Sequence, residues 1–211
     1  MQPTEKDIRD TLEARHGKAL QDRFAAASVA VCGLGGLGSH IATALARAGV
    51  GHLHLIDFDR VDLSNLHRQQ YFIPQLGMKK PLALAQTLKA INPYLEIRTD
   101  TVRITPENLE ALLADDGFIC EAFDRAEEKA MLVNGVLEAF PEKYLVAASG
   151  MAGLADANDI RTRRVTRRFY LCGDETSDSQ NGLGLVSSRV MVCAAHQAHC
   201  ILQLIAQDEQ N

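Results

Sequence analysis

Residues 28–38 read SVAVCGLGGLG, and this stretch decides the fold. Its first five residues, Ser28–Cys32, form a short apolar run of the kind that makes a buried strand. Glycines then follow at Gly33, Gly35 and Gly38, which match the G-x-G-x-x-G spacing of a turn between a strand and a helix. The first glycine permits a tight turn, the second lets a phosphate approach the backbone, and the third lets the helix pack closely. Because the start of that helix presents free N–H groups, the stretch predicts a loop that binds nucleotide phosphates.

The segments that follow this loop complete a β-α-β unit. A helical stretch covers residues 39–48, Gly49 ends it, and a second apolar run covers His52–Ile56. Asp57 comes directly after this run, in the position where an acid binds a ribose hydroxyl of a dinucleotide. These residues alone leave NAD and FAD open as alternatives to ATP.

Strands and helices alternate up to residue 150, which predicts a Rossmann-like, doubly wound α/β fold with a mostly parallel sheet. We expect one amphipathic helix over residues 4–26 and a loop with short helical turns over residues 58–78. The other predicted elements are a helix at 79–91, a strand at 95–102, a helix that starts at Thr105 and Pro106, a strand at 117–120, a helix at 125–140, a strand at 144–148 and a long C-terminal helix at 186–206. Residues 152–172 are expected to add antiparallel edge strands, and the Gly-rich segment 173–184 to form a mobile loop. We expect residues 1–211 to form one domain.

The composition limits the class of protein. The chain has 211 residues, 46% of them hydrophobic, which is enough for one large core. A net charge of −5 gives no general reason to bind nucleic acid or an anionic membrane. We expect no membrane span, which needs an uncharged apolar run of ~18 residues, and the polar start of the chain lacks the apolar core of a signal peptide. Five cysteines without a CxxC pair favour a reducing compartment, the cytoplasm.

The choice of nucleotide depends on residues 57–69, which read DFDRVDLSNLHRQ. A site for hydride transfer has little need for so many polar groups after the second strand, whereas a site that cleaves ATP does need them. Arg68 and Lys80 supply fixed positive charge for a triphosphate and for the pyrophosphate that leaves. Asp124 is expected at the carboxyl end of the fourth strand, where open α/β sheets bind ligands, and a carboxylate there suits Mg²⁺.

Several motifs together give the sequence a family resemblance. They are residues 33–39 (GLGGLGS), 48–51 (AGVG), 57–59 (DFD) and 64–69 (SNLHRQ). This combination resembles the ThiF/MoeB/HesA family, the bacterial relatives of ubiquitin-activating enzymes, over nearly the whole chain. The short length and three further stretches are similar to the compact ThiF-type branch associated with thiamine biosynthesis. Those stretches are residues 121–124 (EAFD), 148–153 (ASGMAG) and 172–174 (CGD).

The resemblance implies an ATP-dependent adenylation. In that reaction the C-terminal Gly-Gly carboxylate of a small ThiS-like sulfur carrier attacks the α-phosphate of ATP, giving an acyl-adenylate and pyrophosphate. A sulfurtransferase is an expected further partner. The resemblance assigns Asp124 to Mg²⁺ and assigns catalytic contacts to Arg68, Lys80 and Asp124. The residues it assigns to nucleotide binding are Gly33, Gly35, Gly36, Gly38, Asp57, Asp59, Asn65, Arg68, Gln69 and Lys80.

The resemblance also implies a homodimer and an N-terminal arginine that reaches the phosphates, in some members across the dimer. Counting back from the glycine loop indicates Arg9, and Arg15 on the same predicted helix is a second candidate. A solvated helix face is an equally good interpretation of both arginines.

Two features of larger or related members are missing from this sequence. Larger members carry two CxxC pairs that bind structural zinc, and this chain has none, so we expect no structural zinc. Some members use a cysteine in the loop before the last helix for sulfur transfer. Residues 173–184 contain no cysteine, so adenylation without covalent sulfur chemistry is expected.

Other interpretations remain open. The acceptor could be a molybdopterin-type carrier or a modified tRNA base, although the acidity of the chain disfavours RNA. A non-adenylating module that binds NAD or FAD is the alternative outside the family. The arginine-rich run at 161–168 is a solvated pair of edge strands, a docking surface for an acidic carrier, or a nucleic-acid contact.

Overall fold

A computed structural model describes residues 2–178 and 183–207 and contains a seven-stranded sheet. The strands are β1 (Ser28–Cys32), β2 (His52–Ile56), β3 (Glu96–Asp100), β4 (Phe118–Glu121), β5 (Tyr144–Ala148), β6 (Arg161–Arg164) and β7 (Phe169–Gly173). Their order across the sheet is β3-β2-β1-β4-β5-β7-β6. Neighbouring strands are parallel except for β6 and β7, which confirms the mostly parallel, Rossmann-like sheet.

Helices cover both faces of this sheet. They are α1 (Glu5–His16), α2 (Lys18–Ala26), α3 (Gly36–Ala48), α4 (Lys80–Ile91), α5 (Leu109–Leu113), α6 (Ala126–Ala139) and α7 (Ser187–Gln207). Buried side chains of α2, α3, α4 and α7 form a core on one face, and those of α5 and α6 form a core on the other. The two-sided cover explains why β1, β2, β4 and β5 are almost continuously apolar.

The antiparallel pairing expected at the edge of the sheet beyond β5 is confirmed between β6 and β7, but β7 itself is parallel to β5. Only β6 is antiparallel, because the chain passes from β5 to the far edge and then returns, placing β7 parallel to β5 and between β5 and β6. All four residues of β6 are exposed. Arg163 in this strand forms an ion pair with Glu175, with Nη2 2.7 Å from Oε2.

The N-terminal segment is two helices, so the expectation of one helix over residues 4–26 is wrong. Gly17 separates α1 from α2 with φ 82° and ψ 151°, a conformation that glycine adopts easily and other residues rarely do. Thr4 begins α1 with a capping box to Asp7. Ile8 and Leu12 of the apolar stripe are only half-buried.

Of two other local predictions, the start of the helix after β3 is wrong and the loop after β2 is confirmed. The helix expected to start at Thr105 and Pro106 begins at Leu109 instead, because Asn108 accepts a hydrogen bond from the Thr105 N–H and donates one to the Arg103 carbonyl, which keeps this stretch in a turn. The loop expected at 58–78 is confirmed, with 3-10 turns at Leu63–Asn65 and Ile73–Gln75.

The loop expected at 173–184 lies partly outside the described residues, since residues 179–182 are not described. Within the described part, Gly173 is the last residue of β7, and Asp174 accepts hydrogen bonds from the N–H groups of Thr176 and Ser177. This turn lies next to the start of α7 and carries part of the site described below.

The expectation of no apolar run long enough to span a membrane is wrong for α7. Residues 190–207 contain no Asp, Glu, Lys or Arg, and α7 is long and apolar enough to cross a bilayer by length and composition alone. Half of that window is buried in the fold, where α7 packs on α3 and on β5. A helix that buries one face in the core of a protein can thus reach the same mean hydropathy as a membrane span.

Candidate active site

A cavity of about 420 Å³ opens at the carboxyl ends of β1, β2, β4 and β5. The strand order reverses direction between β1 and β4, and open α/β sheets bind ligands at that point. Most of the sequence-predicted residues come together here. Those that line the cavity are Gly33, Gly35, Gly36, Asp57, Asp59, Asn65, Arg68, Gln69, Lys80 and Asp124.

The glycine loop, residues 33–38, needs its glycines for two different reasons. Gly33 has φ 93°, and a Cβ there would lie 2.8 Å from the carbonyl oxygen of Ala122. Gly38 does not line the cavity, and its Cβ would collide with the Gly33 carbonyl, so its role is close packing of α3 on β1. Gly36 begins α3 on the cavity wall, so the unpaired first-turn N–H groups and the positive end of the helix dipole are available to an anion there.

Two side chains fix the backbone of the glycine loop at Leu34. The Asp57 carboxylate accepts a hydrogen bond from the Leu34 N–H at 2.7 Å. The Tyr71 hydroxyl donates to the Leu34 carbonyl at 2.8 Å. Burial, with smaller contributions from Asp57 and Asp59, raises the pKa of Tyr71 well above its usual value, so this hydroxyl keeps its proton. The loop is therefore held in place from both sides by the fold itself.

Asp57, Asp59 and Lys80 form a charged group at the β2 end of the cavity. The Lys80 ammonium lies 3.0 Å from Asp59 Oδ2 and 3.8 Å from Asp57 Oδ2. Asp57 and Lys80 are 8% and 5% exposed, whereas the Asp59 side chain is half exposed. Each Asp57 oxygen already accepts one backbone N–H, from Leu34 or Asp59, and keeps a second lone pair that can accept a hydroxyl.

Arg68 and Gln69 carry buried polar atoms that have no hydrogen-bond partner among the described residues. These atoms are Nε of Arg68 and Oε1 of Gln69. A buried polar atom without a partner costs about 1–3 kcal/mol, so such atoms in a cavity wall indicate a polar ligand. Asn65 lines the same wall, one helical turn before Gln69, whose N–H donates to the Asn65 carbonyl at 3.2 Å.

Asp124 is exposed on the cavity wall directly after β4. Within residues 2–178 and 183–207, no group of three or more His, Cys, Asp or Glu side chains is placed to hold a metal ion. A single exposed carboxylate beside a phosphate-binding loop still fits Mg²⁺, which binds through one or two carboxylates together with substrate phosphates and water.

Two pairs of residues at or directly behind the cavity wall had no predicted role. Glu121 is fully buried at the end of β4, and both of its oxygens lie 2.9 Å from the Lys129 ammonium, which reaches the cavity wall. The Arg103 guanidinium stacks over the Phe58 ring at 3.9 Å and pairs with Glu128. A buried acid at the end of an apolar strand is a sequence signal for the first pair, whereas no local pattern connects Arg103 with Phe58.

The two candidate N-terminal arginines lie elsewhere in this chain. Arg9 pairs with Glu13 and Asp22 and lines a cavity of about 150 Å³ beside the starts of β2 and β3. That cavity is at the opposite end of the strands from the predicted phosphate site. Arg15 is exposed near the end of α1. A role for either arginine at the phosphates therefore needs a second copy of the chain and stays a prediction.

All five cysteines are buried and unpaired. Burial raises the pKa of Cys172 to about 11 and that of Cys193 and Cys200 to about 12, and it raises the pKa of Cys32 and Cys120 well above the usual value. A thiol must be ionised and accessible to act as a nucleophile. These cysteines are therefore suited to packing and not to covalent sulfur chemistry.

Comparison with known proteins connects this geometry to a family. The sequence profile of the ThiF family matches residues 9–211. A sulfur carrier protein adenylyltransferase from Thermus thermophilus is 36% identical over 127 residues, which cover 60% of this chain and 42% of that protein. The tRNA threonylcarbamoyladenosine dehydratase of Escherichia coli is 36% identical over 149 residues, covering 68% of this chain and 53% of that protein. The chain thus spans about half or less of these curated relatives.

Solved structures with the same fold match over nearly the whole chain. The crystal structure of the Escherichia coli tRNA N6-threonylcarbamoyladenosine dehydratase in complex with ATP superposes with a TM-score of 0.86 at 20% identity and covers 97% of both chains. Its complex with AMP superposes with a TM-score of 0.85 at 21% identity and the same coverage. At this identity the likeness establishes the fold, including the long C-terminal helix.

Proposed function

This chain belongs to the ThiF family, and we propose that it is an ATP-dependent adenylyltransferase that activates the C-terminal carboxylate of a small ubiquitin-like sulfur carrier. The observation that carries the proposal is the set of groups around the glycine loop. A helix N-terminus, the Arg68 guanidinium with its unpartnered Nε and the exposed Asp124 carboxylate line one cavity. Dinucleotide binding needs the loop and Asp57 but not Arg68, Lys80 or Asp124.

The nucleotide fits the β2 end of this cavity. Asp57 has free lone pairs for a ribose hydroxyl beside the glycine loop. Phosphates placed on the loop meet the N–H groups at the start of α3, with Arg68 and Gln69 on the adjoining wall. Asp124 would hold Mg²⁺ together with the phosphates, and the ion would neutralise charge on the leaving pyrophosphate.

The proposed reaction needs no general base. The carboxyl terminus of the carrier has an ordinary pKa of about 3.3–3.7 and is ionised near neutral pH. One of its oxygens forms a bond to the α-phosphorus while the bond from that phosphorus to the bridging oxygen breaks, and pyrophosphate leaves with the electron pair. The residues of this chain then act by holding the two substrates together and by balancing charge.

The finer assignment is to a ThiS-like carrier in the synthesis of the thiamine thiazole. Its support is the resemblance of the short chain, and of residues 121–124 and 172–174, to the ThiF-type branch. We further propose a cytoplasmic homodimer that works beside a separate sulfurtransferase, because the buried cysteines leave sulfur transfer to another protein. A molybdopterin-type carrier remains the alternative acceptor of the same chemistry.

A second candidate acceptor is a modified tRNA base. The observation in its favour is the match to the Escherichia coli tRNA threonylcarbamoyladenosine dehydratase, which is 36% identical over 68% of this chain. Net charge opposes it, because a chain at −5 has no general attraction for RNA. Both candidate reactions use ATP, so an experiment distinguishes them by the acceptor that is supplied and not by the nucleotide.

Exchange of labelled pyrophosphate into ATP tests the proposal. The purified protein is assayed with Mg²⁺ and, in separate reactions, a ThiS-type carrier, a molybdopterin-type carrier and tRNA, each with the wild type and with Asp124→Ala. We expect exchange that requires the ThiS-type carrier and is lost in Asp124→Ala. If exchange requires the molybdopterin-type carrier or tRNA, that molecule replaces the ThiS-type carrier as the proposed acceptor. Binding of NAD or FAD without binding of ATP would contradict the proposed function as a whole.

A further inference from the structure

A buried ion pair lies at the other end of the cavity, beyond β5 and β7. Arg189 is in the first turn of α7, and its Nη2 lies 2.6 Å from Oδ2 of Asp174, which directly follows β7. The two side chains are 3% and 6% exposed. The adenylation proposed above gives this pair no role.

The pair joins three separate segments of backbone. Arg189 Nη1 donates to the carbonyl oxygens of Ala155 and Asp156 at 2.6 and 2.5 Å. The other carboxylate oxygen of Asp174 accepts the N–H groups of Thr176 and Ser177 at 2.8 and 2.7 Å. One guanidinium and one carboxylate therefore fix the segment after β5, the turn after β7 and the start of α7 relative to each other.

Two of these segments form a wall of the cavity. The Asp174 N–H donates to the Gly150 carbonyl at 3.0 Å, and the Ser177 hydroxyl accepts the Ala152 N–H at 2.9 Å. Residues 149–152 and Ser177 all line the cavity. The Asp174 carboxylate orders the turn that carries Ser177, and Ser177 in turn holds the 149–152 backbone at Ala152, beside the backbone bond from Asp174 to Gly150.

The location of this wall in the sheet indicates what it faces. Asp57 follows β2, the glycine loop follows β1, and residues 149–152 follow β5 on the opposite side of the loop. Strands are spaced about 4.8 Å apart, so the wall lies two strands, or about 10 Å, beyond the glycine loop. If the ribose is at Asp57 and the phosphates are on the loop, this end of the cavity is left for the second substrate.

We propose that the Asp174–Arg189 pair is a positioning pair for the acceptor, which holds residues 149–152 so that the carrier tail reaches the α-phosphate. The inference rests on the proposed adenylation of a carrier. Neither side chain touches the reacting atoms. The structure gives the pair a geometric task, because a buried ion pair adds little net stability over apolar residues of similar volume, whereas this one orders two backbone segments beside the site.

The test separates binding of the acceptor from binding of ATP. Arg189→Lys keeps the charge but replaces the planar fork, which bonds three acceptors, by a single ammonium. In pyrophosphate exchange with the ThiS-type carrier, we expect the KM for the carrier to rise about tenfold or more while the KM for ATP stays within about a factor of two. Amide hydrogen exchange of residues 149–156 is expected to accelerate, with the glycine loop unchanged. Asp174→Asn is expected to give the same pattern.

Lys143→Ala is the matched control. Its ammonium also joins two backbone carbonyls, those of Leu113 and Ala114 at 2.6 and 2.7 Å, but it lies near the start of β5 and away from the cavity. We expect a loss of stability without a change in either KM. If Arg189→Lys does not fold, Ser177→Ala removes the link to Ala152 and the hydroxyl contact with Asp174 while it leaves the ion pair in place, and it is expected to raise the carrier KM alone.

Two results would overturn the positioning role. One is a carrier KM that is unchanged in Arg189→Lys and Asp174→Asn. The other is a rise in both KM values in proportion to lost stability, which describes a purely structural pair. If the wild type shows no carrier-dependent exchange, the proposed function itself is contradicted, and the pair has no carrier tail to position.

Discussion

Arg68 is a cation of the site that keeps a buried donor available to a ligand. Lys80 is another cation at this end, but its ammonium already lies within 4 Å of two carboxylates, Asp57 and Asp59, so its charge is balanced within the protein. Arg68 has a buried Nε without a partner among the described residues, and its Nη1 lies 3.2 Å from Nε2 of the neighbouring His67. A guanidinium with unused donors is suited to two phosphate oxygens at once.

We therefore predict that Arg68→Ala lowers kcat/KM for pyrophosphate exchange more than any other single change of a cation in residues 57–69. Removal of one preorganised donor to developing charge typically costs about 100- to 1,000-fold. Arg60→Ala is the control, because Arg60 is in the same loop, is exposed and bonds the Gly77 carbonyl at 2.6 Å. Equal losses in the two variants would show that the loop responds to any lost arginine and that Arg68 has no special role.

His54 is a second residue whose surroundings make a direct prediction, this time for stability. Its two ring nitrogens lie 2.7 Å from Asp116 Oδ2 and 2.8 Å from Asp100 Oδ2, and its side chain is 2% exposed. Replacement by Leu leaves two carboxylates facing an apolar side chain. We expect the free energy of unfolding to fall by about 3–5 kcal/mol in urea titrations.

His52→Gln is the matched variant for that experiment. His52 is on the same strand and pairs with Glu96 at 3.1 Å, but both side chains are largely exposed. An exposed pair contributes about 0–1 kcal/mol. If His54→Leu is no more destabilising than His52→Gln, the buried network does not stabilise the fold in the way proposed.

At the scale of elements, β1, the glycine loop and α3 act as one unit. The tight approach of α3 to β1 depends on Gly38, because a Cβ there would collide with the Gly33 carbonyl oxygen. We predict that Gly38→Ala displaces the start of α3 and weakens ATP binding by about tenfold or more, measured by equilibrium dialysis. Binding energy is lost because the N–H groups at the helix start no longer meet the phosphates.

Gly117→Ala is the control for this element. A Cβ at Gly117, just before β4, meets no atom within 4 Å, so the substitution adds no contact. ATP affinity is expected to stay at the wild-type value. Unchanged affinity in Gly38→Ala would contradict the assignment of phosphates to the loop.

Elements whose signals are local could be predicted from the sequence. The bounds of β1, β2 and β5 agree with the apolar runs, and α3 ends at Gly49 as expected, in the left-handed conformation. The break at Gly17 was missed because the apolar stripe continues on both sides of it. The place of β7 between β5 and β6 could not be read from the sequence, because the choice of sheet neighbour depends on the path of the chain after β5.

The same distinction applies to the site. Its glycine loop, Asp57, Arg68 and Lys80 lie close together in sequence or follow recognised spacings, and all of them line the cavity. The pairs Glu121–Lys129 and Asp174–Arg189 join segments whose contact follows only from the finished sheet. The nucleotide end of the cavity is therefore predictable from the sequence, whereas most of the groups that fix its opposite end are not.

At the scale of the whole molecule, buried thiols and a buried phenol make the free energy of unfolding depend on pH in the alkaline range. Burial raises the pKa of Cys172 to about 11 and of Cys193 to about 12 from the model-compound value of 9.0, and it also raises the pKa of Tyr71. These groups ionise at lower pH in the unfolded chain than in the folded one. The unfolded chain then binds fewer protons, so the free energy of unfolding falls as pH rises from about 9 toward 11.

Urea titrations across this range measure the effect. We predict a steady loss of stability above about pH 9 and, near pH 8, slow alkylation of all five thiols by iodoacetamide until urea is added. The contradicting result is a native protein with one thiol that alkylates rapidly. Such a thiol would reopen the question of covalent sulfur chemistry on this chain.

The acyl-adenylate itself is the most direct test of the central claim, that this cavity joins ATP to a carrier carboxylate. The ThiS-type carrier is incubated with the protein, Mg²⁺ and ATP, and the intact mass of the carrier is then measured. We predict carrier with one added AMP, located at its C-terminal Gly-Gly, and no such adduct with Asp124→Ala or Arg68→Ala. Tight binding of ATP and carrier without any AMP adduct in the wild type would contradict it.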